Sequence, residues 1–122
     1  MEAWAEEKER IRSASSVLLL TDCDGTLVEF KDSPSLVELP DAGRHLLREL
    51  NCLPRLSVGV VSGRGILDLI GCVGIPGLWY VGNHGYEIQA PDGAYMPFYD
   101  PGEVNYLQAI ARELSHATRD IP

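Results

Sequence analysis

The chain has 122 residues, 45% of them hydrophobic and 23% charged, the proportions of one globular unit able to bury a modest core. Its 18 acidic against 10 basic residues leave a net charge of −8 with no Lys/Arg-rich stretch, which excludes a protein that holds nucleic acid by neutralising phosphates. Cys23, Cys52 and Cys72 are odd in number and widely spaced, with no CxxC pair and no His-x-x-x-His partner to suggest a structural zinc, and they read as reduced thiols.

The first residues, Met1 to Ser13, are charged and carry no apolar stretch before a small-residue cleavage site, so no signal peptide is expected in them. Glu2 to Arg12 predicts a solvated leading helix. The longest apolar run, Val17 to Leu20, is too short to span a membrane, and the cytoplasm is the expected location. Ser16 to Thr21 reads as a strand buried on both faces of a parallel sheet. A polar loop follows from Phe30 to Pro40, after which Asp41 is expected to cap a helix with Leu46, Leu47 and Leu50 as its apolar stripe. Pro54 closes that unit.

Leu56 to Val61 predicts a second strand, ended by Ser62-Gly63-Arg64, and Ile66, Leu67, Leu69 and Ile70 recur at the spacing of a short helix. Leu78 to Val81 predicts a third strand, ended by Gly82-Asn83-His84-Gly85, with Trp79 and Tyr80 as core residues. Tyr86 to Ala90, the turn Pro91-Asp92-Gly93 and Ala94-Tyr95-Met96 form a β-hairpin signal. Glu103 to Thr118 is helical in character. Strands alternating with helices over short connections predict a three-layer α/β sheet with right-handed crossovers, whose ligands sit at the carboxyl ends of the strands.

Those ends carry the chemistry. In Asp22-Cys23-Asp24-Gly25-Thr26, two carboxylates two residues apart on an extended segment share a side, while Cys23 points away. One carboxylate can attack phosphorus and form an acyl-phosphate; the other can protonate the leaving alcohol and then deprotonate water. A divalent cation, expected to be magnesium because every available ligand is a hard oxygen, would neutralise the crowded charge. Thr26 offers a hydroxyl or an amide. An isolated Asp-x-Asp-Gly is more often a plain turn, but the buried apolar strand before it favours the chemical reading.

Ser62, with Gly63 allowing close backbone approach and a helix following, suits a phosphoryl oxygen, and Arg64 adds positive charge. Taken alone, a capping serine beside a solvated arginine would explain the same residues. His84 is as compatible with a structural role as with substrate binding. Glu87 is either a contact to a hydroxylated substrate or an exposed strand residue. His45, His116 and Trp4 carry no functional signal.

Leu18 to Leu27 resembles the first motif of the haloacid dehalogenase-like superfamily, and Val60-Val61-Ser62-Gly63-Arg64 resembles its second motif as found in sugar-phosphate phosphatases. Gly82-Asn83-His84-Gly85-Tyr86-Glu87-Ile88 and the Pro91-Asp92-Gly93 hairpin are similar to the trehalose-6-phosphate phosphatase family. The resemblance implies Asp22 as nucleophile, Asp24 as general acid and base, and Ser62 at the phosphoryl group, where the reading of the residues adds Gly63 and Thr26. The resemblance further implies Mg2+ on the Asp22 carboxylate and the Asp24 carbonyl, with Arg64, His84 and Glu87 towards the sugar.

The leading helix is expected over 1–15, and the resemblance implies the N-terminal half of a core domain over 16–100 and a linker into a cap domain over 101–122. The family's later lysine and acidic pair have no counterpart here. Lys31, the one lysine after the first strand, does not match that lysine, and a truncated product is expected. The expected partner is a small-molecule sugar phosphate, with no nucleic acid and no membrane. An incomplete sheet adds self-association or a complementary C-terminal half as an expectation.

The expected function is therefore a magnesium-dependent phosphomonoesterase that dephosphorylates trehalose 6-phosphate through an aspartyl-phosphate. The alternatives are a phosphatase for another sugar phosphate and a non-catalytic interaction or regulatory fragment. A phospho-acceptor domain of the response-regulator kind fits poorly, because Asp22 and Asp24 share one strand end.

Overall fold

A computed structural model describes residues 2–29 and 37–117. Helix α1 (Glu2–Ser13) leads into strand β1 (Val17–Asp22), and α2 (Asp41–Asn51) connects to β2 (Leu56–Val61). Helix α3 (Ile66–Val73) leads to β3 (Trp79–Gly82), then come β4 (Glu87–Gln89), β5 (Tyr95–Pro97) and α4 (Pro101–Ala117). Five strands form one sheet in the order β1-β2-β3-β4-β5, parallel through β3 and antiparallel beyond it. The expected α/β architecture with an incomplete sheet and a hairpin is present. Of the loop from Phe30 to Pro40, residues 30–36 and with them Lys31 lie outside the described residues, as does Thr118.

The side-chain alternation of strands decides where the core sits. Val58 and Val60 of β2 and Tyr80 of β3 share one face and are buried with Leu47 of α2 and Leu69 and Val73 of α3. Both crossover helices therefore cover the same face, as crossovers of one hand require when strand order advances in one direction. Tyr80 keeps its hydroxyl satisfied in this interior by donating to the Ile75 carbonyl at 2.6 Å and accepting from the Ile75 N–H at 3.1 Å.

The opposite face, bearing Leu18, Leu20, Gly59 and Trp79, is open among the described residues. Leu18 and Leu20 are 58% and 52% exposed, and Leu19 on the other face is also exposed. This corrects the expectation of a strand buried on both faces. β1 pairs only with β2 among the described residues, and α2 and α3 lie over β2 and β3. An apolar run has the same pattern whether or not its neighbours are present. Trp79 is half-buried rather than core, resting on the open face.

Local chemistry also shifts two helix details. Asp41 is the first helical residue of α2 rather than its cap; Pro40 occupies the cap position without a side-chain hydrogen bond. Leu47 points inward and Leu46 outward, so the stripe is narrower than three leucines. In α3, Ile66 and Leu69 are joined in the core by Cys72 and Val73, while Leu67 is exposed. α1 is exposed along residues 4–13, as expected of a solvated helix.

Candidate active site

The parallel register lines up the strand ends: Asp22 is opposite Val61, and Val61 is opposite Val81. Everything that follows these three residues is delivered to one edge of the sheet. After β1 the ladder runs one residue further, with the Cys23 N–H donating to the Val61 carbonyl at 3.1 Å. The Cys23 carbonyl then accepts from the Leu27 and Val28 N–H groups at 2.9 and 3.1 Å, so the chain doubles back on itself. Gly25, at φ 83°, supplies the left-handed residue that this reversal needs.

The reversal sorts the side chains. Cys23 is fully buried, pointing away from its acidic neighbours as expected, and burial followed by the nearby Cys72 pushes its thiol up to about 12. Asp22 is exposed at the strand end and Asp24 is half-buried beside it. Thr26 is exposed in the turn.

Asp24 is held from β2. The Ser62 hydroxyl donates to its Oδ2 at 3.1 Å. Arg64 donates from Nε to both oxygens at 3.1 and 2.9 Å, and from Nη2 to Oδ1 at 2.5 Å. The hydrogen bonds from Arg64 lead the forces that hold the Asp24 carboxyl below its ordinary value; burial opposes them and Ser62 assists. Asp24 in turn holds the guanidinium more firmly protonated. Ser62 is itself buried, and its oxygen accepts from the Arg64 N–H at 3.1 Å. The hydroxyl expected to face a phosphoryl group thus lies between Asp24 and the next turn of backbone.

The end of β3 braces this arrangement. The Asn83 N–H donates to the Arg64 carbonyl at 2.6 Å, and the His84 N–H to the Ser62 carbonyl at 3.2 Å. Asn83 and His84 adopt φ of 48° and 56°, left-handed values that side-chain-bearing residues rarely take and that cluster at functional sites. The imidazole of His84 lies over Gly63: a Cβ there would stand 2.6 Å from Cε1. Gly63 is therefore a space requirement for His84.

Glu87, the first residue of β4, accepts from the Ile66 N–H at 3.1 Å through Oε2 and from the Tyr95 hydroxyl at 2.8 Å through Oε1. Tyr95 also hydrogen-bonds Tyr99 at 3.0 Å. Sequence reasoning missed Gly82 and Tyr95 as parts of this site. The hairpin register held the signal for Tyr95, since Tyr95 lies diagonally across from Glu87 on the same face. A groove of about 680 Å³ opens beside Glu87, between Asn83, Tyr86, Tyr99 and the α4 residues Val104 and Leu107.

No group of three His, Cys, Asp or Glu side chains converges as a metal site among the described residues. With the Asp24 carboxylate taken by Arg64, the candidate cation ligands are the Asp22 carboxylate and the Asp24 backbone carbonyl. Two hard oxygens suit an ion that retains several waters and takes further oxygens from a bound phosphate, the habit of Mg2+.

A trehalose-phosphate phosphatase of Mycobacterium avium is 42% identical over 106 residues, covering 83% of this chain and 26% of its own. One from Mycobacterium tuberculosis is 39% identical over 74 residues, or 61% of this chain and 18% of its own. The structure of Aspergillus fumigatus trehalose-6-phosphate phosphatase superimposes with a TM-score of 0.68 at 25% identity, covering 95% of this chain and 44% of that one. A haloacid dehalogenase-like hydrolase from B. subtilis, at 20% identity and a TM-score of 0.57, shares the fold. The chain thus spans about a quarter or less of the curated relatives and under half of the solved structure. The trehalose-phosphatase family profile matches residues 20–122, and this chain belongs to that family, with a haloacid dehalogenase-like fold.

Proposed function

We propose that this chain carries the nucleophile half of a magnesium-dependent phosphomonoesterase acting on trehalose 6-phosphate. The observation that carries the reading is the hold of Ser62 and Arg64, at the end of β2, on Asp24, two residues after Asp22 at the end of β1, in a chain of the trehalose-phosphatase family. Asp22, exposed and free of the Arg64 clamp, attacks phosphorus, and its carboxylate oxygen forms an acyl-phosphate as the bond to the sugar oxygen breaks. Asp24 delivers the proton that the departing alkoxide needs. It then takes a proton from the water that attacks the acyl-phosphate, and orthophosphate leaves with Asp22 regenerated.

Arg64 keeps the Asp24 carboxyl below its ordinary value, so the first of these transfers requires Arg64 to release that carboxylate and turn towards the sugar, and Asp24 to take up a proton from solvent beforehand. The Asp22 carboxylate and the Asp24 carbonyl would hold Mg2+, which when bound supplies charge neutralisation at the phosphoryl oxygens. Ser62, Gly63 and the turn at Thr26 line the position of those oxygens. His84, Arg64 and the groove beside Glu87 lie towards the sugar.

A second reading, a non-catalytic interaction fragment, is favoured by one observation: no third metal-ligating side chain joins Asp22 and Asp24 among the described residues. Phosphate release from trehalose 6-phosphate, with and without Mg2+, separates the two. Magnesium-dependent release that vanishes in Asp22→Asn is the expected result, and a folded chain that releases none sustains the second reading. Release from glucose 6-phosphate at an equal or greater rate would point to a different sugar phosphate.

A further inference from the structure

We propose that Glu87 is a positioning residue: its carboxylate acts as a tertiary cap on α3 and thereby fixes the Ser62–Arg64 turn against Asp24. Helix α3 begins after Gly65, which has no side chain to satisfy the first N–H groups of the helix. A carboxylate is the favoured partner for such a terminus, through both its hydrogen-bond acceptors and its charge. Glu87 supplies it from 21 residues away, accepting from the Ile66 N–H at 3.1 Å.

The register explains how it reaches. Glu87 is opposite Gly82 in the β3–β4 ladder. A Cβ on Gly82 would stand 2.9 Å from the nitrogen and the Cα of Ile66 and 3.0 Å from the Arg64 carbonyl oxygen. The bare backbone of β3 at this point lets the start of α3 settle onto the strand, which brings the Ile66 N–H within range of the neighbouring carboxylate.

Arg64 is consequently pinned from both directions. Its carbonyl is held by the Asn83 N–H at 2.6 Å, and the residue two positions on is held by Glu87. Its guanidinium then meets Asp24 squarely enough for a fork of hydrogen bonds. Tyr95 fixes the other carboxylate oxygen of Glu87 at 2.8 Å, and Tyr99, at 3.0 Å from Tyr95, stands just before α4. A relay of hydrogen bonds thus runs from the entry of α4 to the turn that holds Asp24.

The test follows the amide of Ile66 and the Nε–H of Arg64 by hydrogen exchange in the full chain, beside a titration with orthovanadate. Glu87→Ala is expected to speed exchange at both groups about tenfold and to weaken vanadate binding by a similar factor. Glu87→Gln, whose amide can accept from Ile66 and donate to the Tyr95 oxygen, is expected to stay within about threefold of the parent. Acceleration at Ile66 with Arg64 unmoved, or Glu87→Gln behaving like the alanine variant, overturns the proposal. Should Glu87→Ala fail to fold, Tyr95→Phe keeps the ring and removes one of the two bonds; faster exchange at Arg64 supports the relay and an unchanged rate overturns it. Only the vanadate arm rests on the phosphatase reading: a parent chain that takes up no vanadate defeats that reading, while the exchange arm still decides the role of Glu87.

Discussion

Arg64 grips the carboxylate of Asp24 across 40 residues of sequence, with side chains only 12% and 26% exposed. Partial burial makes the pair worth more than a surface ion pair and less than a dry one, about 1–2 kcal/mol. Arg64→Gln should lower stability by about that amount in urea denaturation. The sign of its pH dependence follows from the depressed Asp24 carboxyl. The unfolded chain binds the Asp24 proton first as pH falls, so the stabilisation is complete above the ordinary aspartate value of about 3.9 and is lost as pH falls through the folded value. Arg64→Gln should flatten the acid limb of the stability curve, and an unchanged limb would show that the pair does not form in solution.

Asp22 stands in a different position, at the strand end and exposed. Its replacement should be felt in chemistry and metal binding rather than in the fold. Asp22→Asn is expected to shift the urea midpoint by no more than about 0.5 kcal/mol in equivalent stability. Magnesium affinity, followed by calorimetry or by amide shifts at Gly25 and Thr26, should fall about tenfold or more once the carboxylate ligand proposed above is neutral. Equal magnesium affinity in both proteins would remove Asp22 from the metal site.

Gly82 allows α3 to rest on β3, and the atoms that a Cβ would meet are backbone atoms, which cannot swing aside. Gly82→Ala should therefore cost about 3 kcal/mol, at the upper end of overpacking effects, and should weaken the Asn83–Arg64 hydrogen bond with it. Gly63→Ala meets first the movable ring of His84 and should cost about 1 kcal/mol, with the His84 ring resonances shifted. The two thermal unfolding curves measured side by side give the comparison, and a Gly63 variant as damaged as the Gly82 variant would contradict it.

Within the interior, Tyr80 serves both polar groups of Ile75 with one hydroxyl. Tyr80→Phe preserves the ring packing but leaves a buried N–H and a buried carbonyl short of a partner, and is expected to cost about 2 kcal/mol. A loss below about 0.5 kcal/mol would mean that water reaches Ile75.

The strands and their ends were legible because each parallel strand announces itself by an apolar run broken at a polar or glycine-rich tripeptide. β2 was placed to the residue, and Leu78 to Val81 differs from β3 by a single step. The partners of the end residues were less legible. Nothing in the order Ser62-Gly63-Arg64 says that the guanidinium turns back to Asp24, since that depends on the distance between β1 and β2 and on the turn angle after Val61. Glu87 was visible as a polar residue near the edge, but its bond to Ile66 depends on Gly82 lying opposite it, a register that appears only once β3 and β4 are paired. The exposure of β1 was not legible either: an apolar run has one pattern whether its second face is covered or bare.

That bare face makes the last prediction. Leu18 and Leu20 stand in register with Ser57 and Gly59, and Trp79 continues the row beyond Gly59, so the exposed apolar side chains are contiguous rather than scattered. Contiguous patches of this kind drive association, and β1 adds an unpaired strand edge beside them among the described residues. A net charge of −8 opposes the approach of two copies, so association should strengthen as salt screens the charge. Sedimentation of this chain is expected to show reversible self-association that rises between about 0.05 and 0.5 M NaCl. The double variant Leu18→Thr, Leu20→Thr should abolish it while changing unfolding free energy by less than about 1 kcal/mol, because both side chains are half or more exposed already. Association that persists in the variant would move the contact surface away from β1, to the exposed apolar residues of α4 such as Tyr106 and Leu107.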